Sequence, residues 1–160
     1  MDSGTLPNLE AGVRGGALRR WKALLLAIGL LALAIQVVPV DRENPPVTGE
    51  ADSPTEVEAV LRRACYDCHS HETRWPWYGY VAPVSWLLEH DVKEGREHLN
   101  LSRWDAYAPG KRVRLFKEIR EEVDLGAMPP WYYVSMHPSA RLSPEDFSLL
   151  RRWVDKERRK

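Results

Sequence analysis

Both cysteines of this 160-residue chain stand in one run of five residues, Cys65-Tyr66-Asp67-Cys68-His69. That run limits what the chain can fold into more than any other feature. A small exported domain held by disulfides carries several cysteines spread along its length. Two thiols so close together cannot cross-link a domain, so they serve local chemistry and the core needs another support. The pattern C-x-x-C-H is the attachment sequence of c-type haem. Two thiols reach the two vinyl groups of one porphyrin, and the adjacent imidazole is held under the ring, where a nitrogen binds iron. A thioredoxin-like redox pair would need a βαβ setting, whereas an amphipathic helix leads into this motif. A zinc site would need a second pair of ligands at wider spacing, and His69 and His71 are too near. Cys65 and Cys68 are therefore read as covalent attachment sites, His69 as an axial iron ligand, and haem c as the cofactor.

The flanking sequence divides the chain. Residues 1–22 read as a cytoplasmic tail, with Met1 to Gly16 expected to be disordered and Arg19, Arg20 and Lys22 supplying a positive flank. Residues 23–40 are almost wholly apolar and read as a signal-anchor or transmembrane helix. The positive side stays in the cytoplasm, so the remainder is expected on the exported side of a bacterial inner membrane, in the periplasm. Ala32-Leu33-Ala34 offers a cleavage site, but apolar character continues through Val37, Val38 and Val40, which favours an uncleaved anchor. Residues 41–52, rich in proline and acidic side chains, read as an extended linker. Residues 53–160 read as the folded, haem-binding domain. Its charge gives no nucleic-acid signal: the whole chain has 23 basic and 23 acidic residues.

The domain is expected to be mainly α. Ser53-Pro54-Thr55-Glu56 has the form of a capping box, and Val57, Val60, Leu61 and Ala64 form one stripe after it. A second helix is expected over about Ser85 to Glu94, with Gly95 ending or bending it. A third runs from about Lys111 to Asp124 with Val113, Phe116, Ile119 and Val123 facing inward and Gly126 closing it. The last opens at Ser143-Pro144-Glu145-Asp146 and buries Phe147, Leu150, Trp153 and Val154. No stretch alternates as a strand does.

An iron held by His69 has a second face. Met128, in Gly126-Ala127-Met128-Pro129-Pro130, is the leading sixth ligand. A thioether suits an electron-transfer haem, and the prolines stiffen the loop that presents it. Met136, His71, His90, His98 and His137 are the rivals, His137 the best of them. The aromatic runs Trp75-Pro76-Trp77-Tyr78-Gly79-Tyr80 and Trp131-Tyr132-Tyr133 wall a haem or form the core, and Arg74 is placed to pair with a propionate.

The run CYDCHSHETRWPWYGYVAPVSWLLEHDVKEGREHLNLSRW, followed by GAMPPWYYVSMHPSARLS, closely resembles the bacterial haem-binding domain proteins, small membrane-anchored, cytochrome c-like proteins. The likeness extends to the VDRENPPV segment. It implies a cytochrome c-like helical fold after the transmembrane helix, with first and last helices packed together. It also implies covalent haem at Cys65 and Cys68, axial His69 and, more distantly, Met128. The function expected is single-haem electron transfer without substrate chemistry, with redox partner proteins. The alternatives are a haem-based sensor, a haem-holding chaperone or a peroxidase-like enzyme with an open sixth position.

Overall fold

The computed structural model describes residues 9–159, with side chains described from Gly16 onward apart from Ala17. The chain is mainly helical. Among the described residues there are α1 (Leu9–Ala34), α2 (Thr55–Ala64), α3 (Tyr66–His69), α4 (Val84–His98), α5 (Pro109–Asp124), α6 (Trp131–Met136) and α7 (Pro144–Glu157), and no β-strand. The nearest thing to a sheet is an isolated parallel bridge between Gly49 and Arg103.

The first helix begins earlier than the polar composition suggests. Leu9 to Gly16, expected to be disordered, continue the helix, because each residue added to an existing apolar helix gains a hydrogen bond without a new nucleus. The rest of that expected disorder, Met1 to Asn8, lies outside the described residues. Within this segment Leu18–Val37 is long and apolar enough to cross a membrane, with mean hydropathy 1.7 and none of its most apolar window buried against the protein.

The core is built by α2, α5 and α7. Val57, Val60 and Leu61 of α2 meet Leu150, Trp153 and Val154 of α7, so the first and last helices of the domain do pack together. Phe116 of α5 lies between two indoles, 5.0 Å from the Trp104 ring and edge-on to Trp153 at 5.1 Å. Two details of the expected stripes shift. In α5, Val113 is exposed and Leu115 takes a fully buried place, on the side of the helix it shares with Ile119 and Val123. At α2 the helix starts at Thr55 with Pro54 in the cap position and no side-chain cap bond, so Ser53 does not close a capping box. Ser143 does: it accepts from the Asp146 amide at 3.2 Å, and Asp146 accepts from the Ser143 amide at 2.7 Å.

Residues 39–52 are extended but tied down. The carbonyl of Pro46 meets His71 Nδ1 at 2.9 Å, Thr48 and Gly49 donate to the Ser102 carbonyl, and Trp104 donates back to Gly49. Arg96 donates to the Glu43 carbonyl and to Asn44 Oδ1. A segment with few apolar side chains docks here through backbone groups. The domain supplies buried partners for it, the His71 ring and the Ser102 carbonyl.

Candidate functional site

A cavity of about 750 Å³ opens between α3, α4, α5 and the segment from Met128 to His137. Its size falls within the roughly 300–1,000 Å³ of pockets that enclose cofactor-sized ligands. Leu61, Leu88, Leu101, Leu115, Ile119 and Val123 supply much of its wall. Cys65, Cys68, His69 and Met128, far apart in kind and partly in sequence, all border it.

The first side is rigid. After α2, one residue of irregular backbone at Cys65 turns the chain into α3, whose short coil carries Cys68 and His69. Cys68 and His69 both donate their amides to the Cys65 carbonyl, at 3.2 and 2.9 Å. His69 Nδ1 lies 2.9 Å from the Gly95 carbonyl and 3.1 Å from that of Leu99. Both neighbours only accept, so Nδ1 carries the proton and Nε2 keeps its lone pair. Burial lowers the imidazole pKa, against the opposing pull of those carbonyls, and so favours the neutral ring that metal ligation requires. Burial likewise pushes the Cys65 and Cys68 thiols up to about 12, so both are held as thiols.

Gly95 explains how α4 comes so near. A Cβ there would stand 2.6 Å from the Cys68 carbonyl oxygen. Of the two roles expected of Gly95, ending or bending the helix, the first is corrected: α4 continues to His98, and the approach of the Cys68 backbone requires glycine there.

The second side is a loop. Gly126, at φ +69°, turns the chain after α5, and Ala127 and Met128 donate back to the Glu122 carbonyl at 3.0 and 3.2 Å. The Met128–Pro129 peptide is cis, and Met128 is 37% exposed. Helix α6 then returns to the first side. Tyr133 donates its hydroxyl to Asp67 Oδ2 at 2.7 Å and stacks on His137 with ring centroids 4.3 Å apart. His137 Nε2 and the Tyr78 hydroxyl share a hydrogen bond of 2.5 Å. Arg74, which also borders the cavity, donates to Asp67 Oδ1 at 3.2 Å. Burial, then the bond to Asp67, raises the Tyr133 phenol pKa strongly.

The other candidates sort by position. His71 is buried away from the cavity between Pro46 and Asn100. His90 does not border the cavity, whereas His98 and Met136 do. His137 borders it with its Nε2 engaged by Tyr78. Of the aromatic runs, Trp75, Tyr78, Tyr132 and Tyr133 line the cavity, while Trp77 and Trp131 are 75% and 80% exposed and belong neither to the wall nor to the core. The residue that sequence reasoning passed over is Asp67. Its place inside C-x-x-C-H was visible, but no local spacing links residue 67 to residue 133.

The apolar enclosure, the paired thiols and a neutral imidazole with a fixed tautomer fit a haem. Comparison with known proteins agrees. The chain is 25% identical over 150 residues to the cytochrome c peroxidase Ccp of Escherichia coli (strain K12), an alignment covering 84% of this chain. The chain spans only 32% of that protein's length. No solved structure matches. The haem-binding domain family matches residues 30–156, from the end of the apolar helix to the last turn of α7, and the chain belongs to that family.

Proposed function

We propose that this protein is a single-haem, c-type electron carrier, anchored by α1 with its domain on the exported side of the membrane. The observation that carries the reading is the convergence of Cys65, Cys68, His69 and Met128 on one cavity. Cys65 and Cys68 hold the porphyrin through thioether bonds, and His69 and Met128 ligate its iron. The haem supplies one-electron chemistry whose potential is raised by a thioether ligand. The Gly95 and Leu99 carbonyls fix the orientation of His69 and strengthen it as a donor. The apolar walls exclude water. Asp67 and Tyr133 tie the Met128 loop back to the cysteine motif.

A second reading, a peroxidase-like enzyme with an exchangeable sixth position, is favoured by the likeness to a protein named as a cytochrome c peroxidase and by the exposure of Met128. The optical spectrum of the full chain, matured with haem, separates the two. A low-spin spectrum with a ferric Met–iron band and no shift under carbon monoxide is expected of the carrier. Met128→Ala should convert it to a high-spin or water-ligated form. An unchanged spectrum in that variant removes Met128 as ligand, and ready carbon monoxide binding by the wild type favours the second reading. Extraction of the haem by acidified ketone would remove the covalent assignment.

A further inference from the structure

The apolar segment that begins in α1 is coupled to the domain just past the helix, at Gln36. Gln36, at the end of the apolar segment Leu18–Val37, accepts from the Ala82 amide at 2.9 Å and donates to the Ala82 carbonyl at 3.3 Å. Arg42 reinforces the junction. Its guanidinium donates to the Gly79 carbonyl through Nε at 3.1 Å and Nη2 at 3.0 Å, and lies 4.6 Å over the Tyr80 ring. The loop between Trp77 and Val84 is thereby held level with the end of the apolar span.

That loop lies in a stretch, Trp75 to Leu88, with no charged side chain. Trp77, Tyr80 and Val81 are 75%, 60% and 46% exposed, and the cavity does not account for them, since they do not line it. Val84 and Leu87, half exposed, border both the cavity and this surface. A contiguous apolar patch on a domain surface marks an interaction site. Trp and Tyr side chains, apolar in body and polar at the tip, concentrate at membrane–water interfaces.

We infer that the surface formed by Trp77, Tyr80, Val81, Val84 and Leu87 rests on the bilayer that α1 crosses. Trp77 and Tyr80 sit among the headgroups and Val81 faces the acyl boundary. The inference rests on the reading of α1 as a membrane-crossing helix. Because Gln36 at the end of the span is bonded to Ala82 inside this loop, the patch has a high effective concentration at the lipid surface, and a weak intrinsic affinity suffices. The cavity wall at Val84 and Leu87 then lies beside the membrane, so the haem is held at the lipid surface and not at the end of a free tether.

The test uses the full chain reconstituted in phosphatidylethanolamine–phosphatidylglycerol vesicles containing a phospholipid with a diazirine at the top of one acyl chain. Photo-adducts are mapped by mass spectrometry. Adducts are expected on residues 18–37 and on residues 77–87. The double variant Trp77→Ser/Tyr80→Ser should lose labelling of 77–87 severalfold, with the same labelling of 18–37 and the same haem spectrum. Adducts on 18–37 with none on 77–87 overturn the docking and leave the anchor standing. Absence of adducts from both segments overturns the anchor and the docking with it. A double variant labelled as strongly as the wild type overturns the assignment to these side chains.

Discussion

The two sides of the cavity are built in opposite ways. On one side α3 is wedged between α2 and α4, His69 has its Nδ1 proton shared by two carbonyls, and the helices approach until only glycine fits at position 95. On the other, Met128 sits in an exposed loop closed by Gly126. That loop and the helix after it are tied to the rest through Tyr133–Asp67, His137–Tyr78 and Tyr132–Asp91. On the proposed reading, attachment and tuning are separated. The side proposed to hold the haem is overdetermined by packing, and the side proposed to supply the sixth ligand depends on a few polar contacts.

The largest effect is expected on the rigid side. His69→Ala should abolish nearly all haem incorporation, read as covalent haem per protein in a pyridine haemochrome assay. If it retained full occupancy with an unaltered spectrum, the rigid side would not be the ligating one. Gly95→Ala comes next and has a diagnostic sign. At an exposed helix position this change stabilises by up to about 1 kcal/mol. Here the new Cβ meets the Cys68 carbonyl, and a loss of about 1–3 kcal/mol is expected in denaturant unfolding.

Tyr133→Phe should act on the loop alone. It removes a hydrogen bond to a carboxylate, worth about 1.5–3 kcal/mol. Haem content should stay intact while the low-spin fraction falls and carbon monoxide binds more readily. A variant indistinguishable from wild type would show that the loop is positioned without that bond.

The smallest effect lies outside both sides. Burial raises the pKa of Asp146, but the bonds from Arg63 and Ser143 outweigh it, so the folded value lies below the ordinary one. A folded-state pKa below the unfolded one, about 3.9, contributes stability that is present above that value and lost as pH falls through the folded pKa. Unfolding free energy should therefore fall with acid below about pH 4, and less steeply in Asp146→Asn. The haem spectrum at neutral pH should be the same in both.

Much of this was legible in the chain itself. The motif, the apolar span, the stripes of α2 and α7 and the Ser143 cap are local patterns, each set by neighbours within about two helical turns. What was misread depended on contacts distant in sequence. Gly95 looked like a helix stop because its reason, the Cys68 carbonyl, lies on another helix. Residues 41–52 read as an extended linker with little to bury, and their docking escaped notice because their partners, His71, Arg96 and Ser102, are polar groups whose burial no composition reveals. Val113 and Leu115 exchanged roles because the inward face of α5 is chosen by what packs around it, with Phe116 against Trp153 and Leu115 beside the cavity.

By itself, the sequence determined a haem as the cofactor, the helical class and the possibility of a membrane anchor, since motif spacing, hydrophobic period and apolar length are properties of short segments. Only the tertiary structure decided that Met128 borders the same cavity as His69, that Asp67 joins the motif to Tyr133, and that Gln36 holds the Trp77 loop level with the end of the apolar helix. Those are relations between side chains tens of residues apart. They exist only once helix packing has brought the segments together.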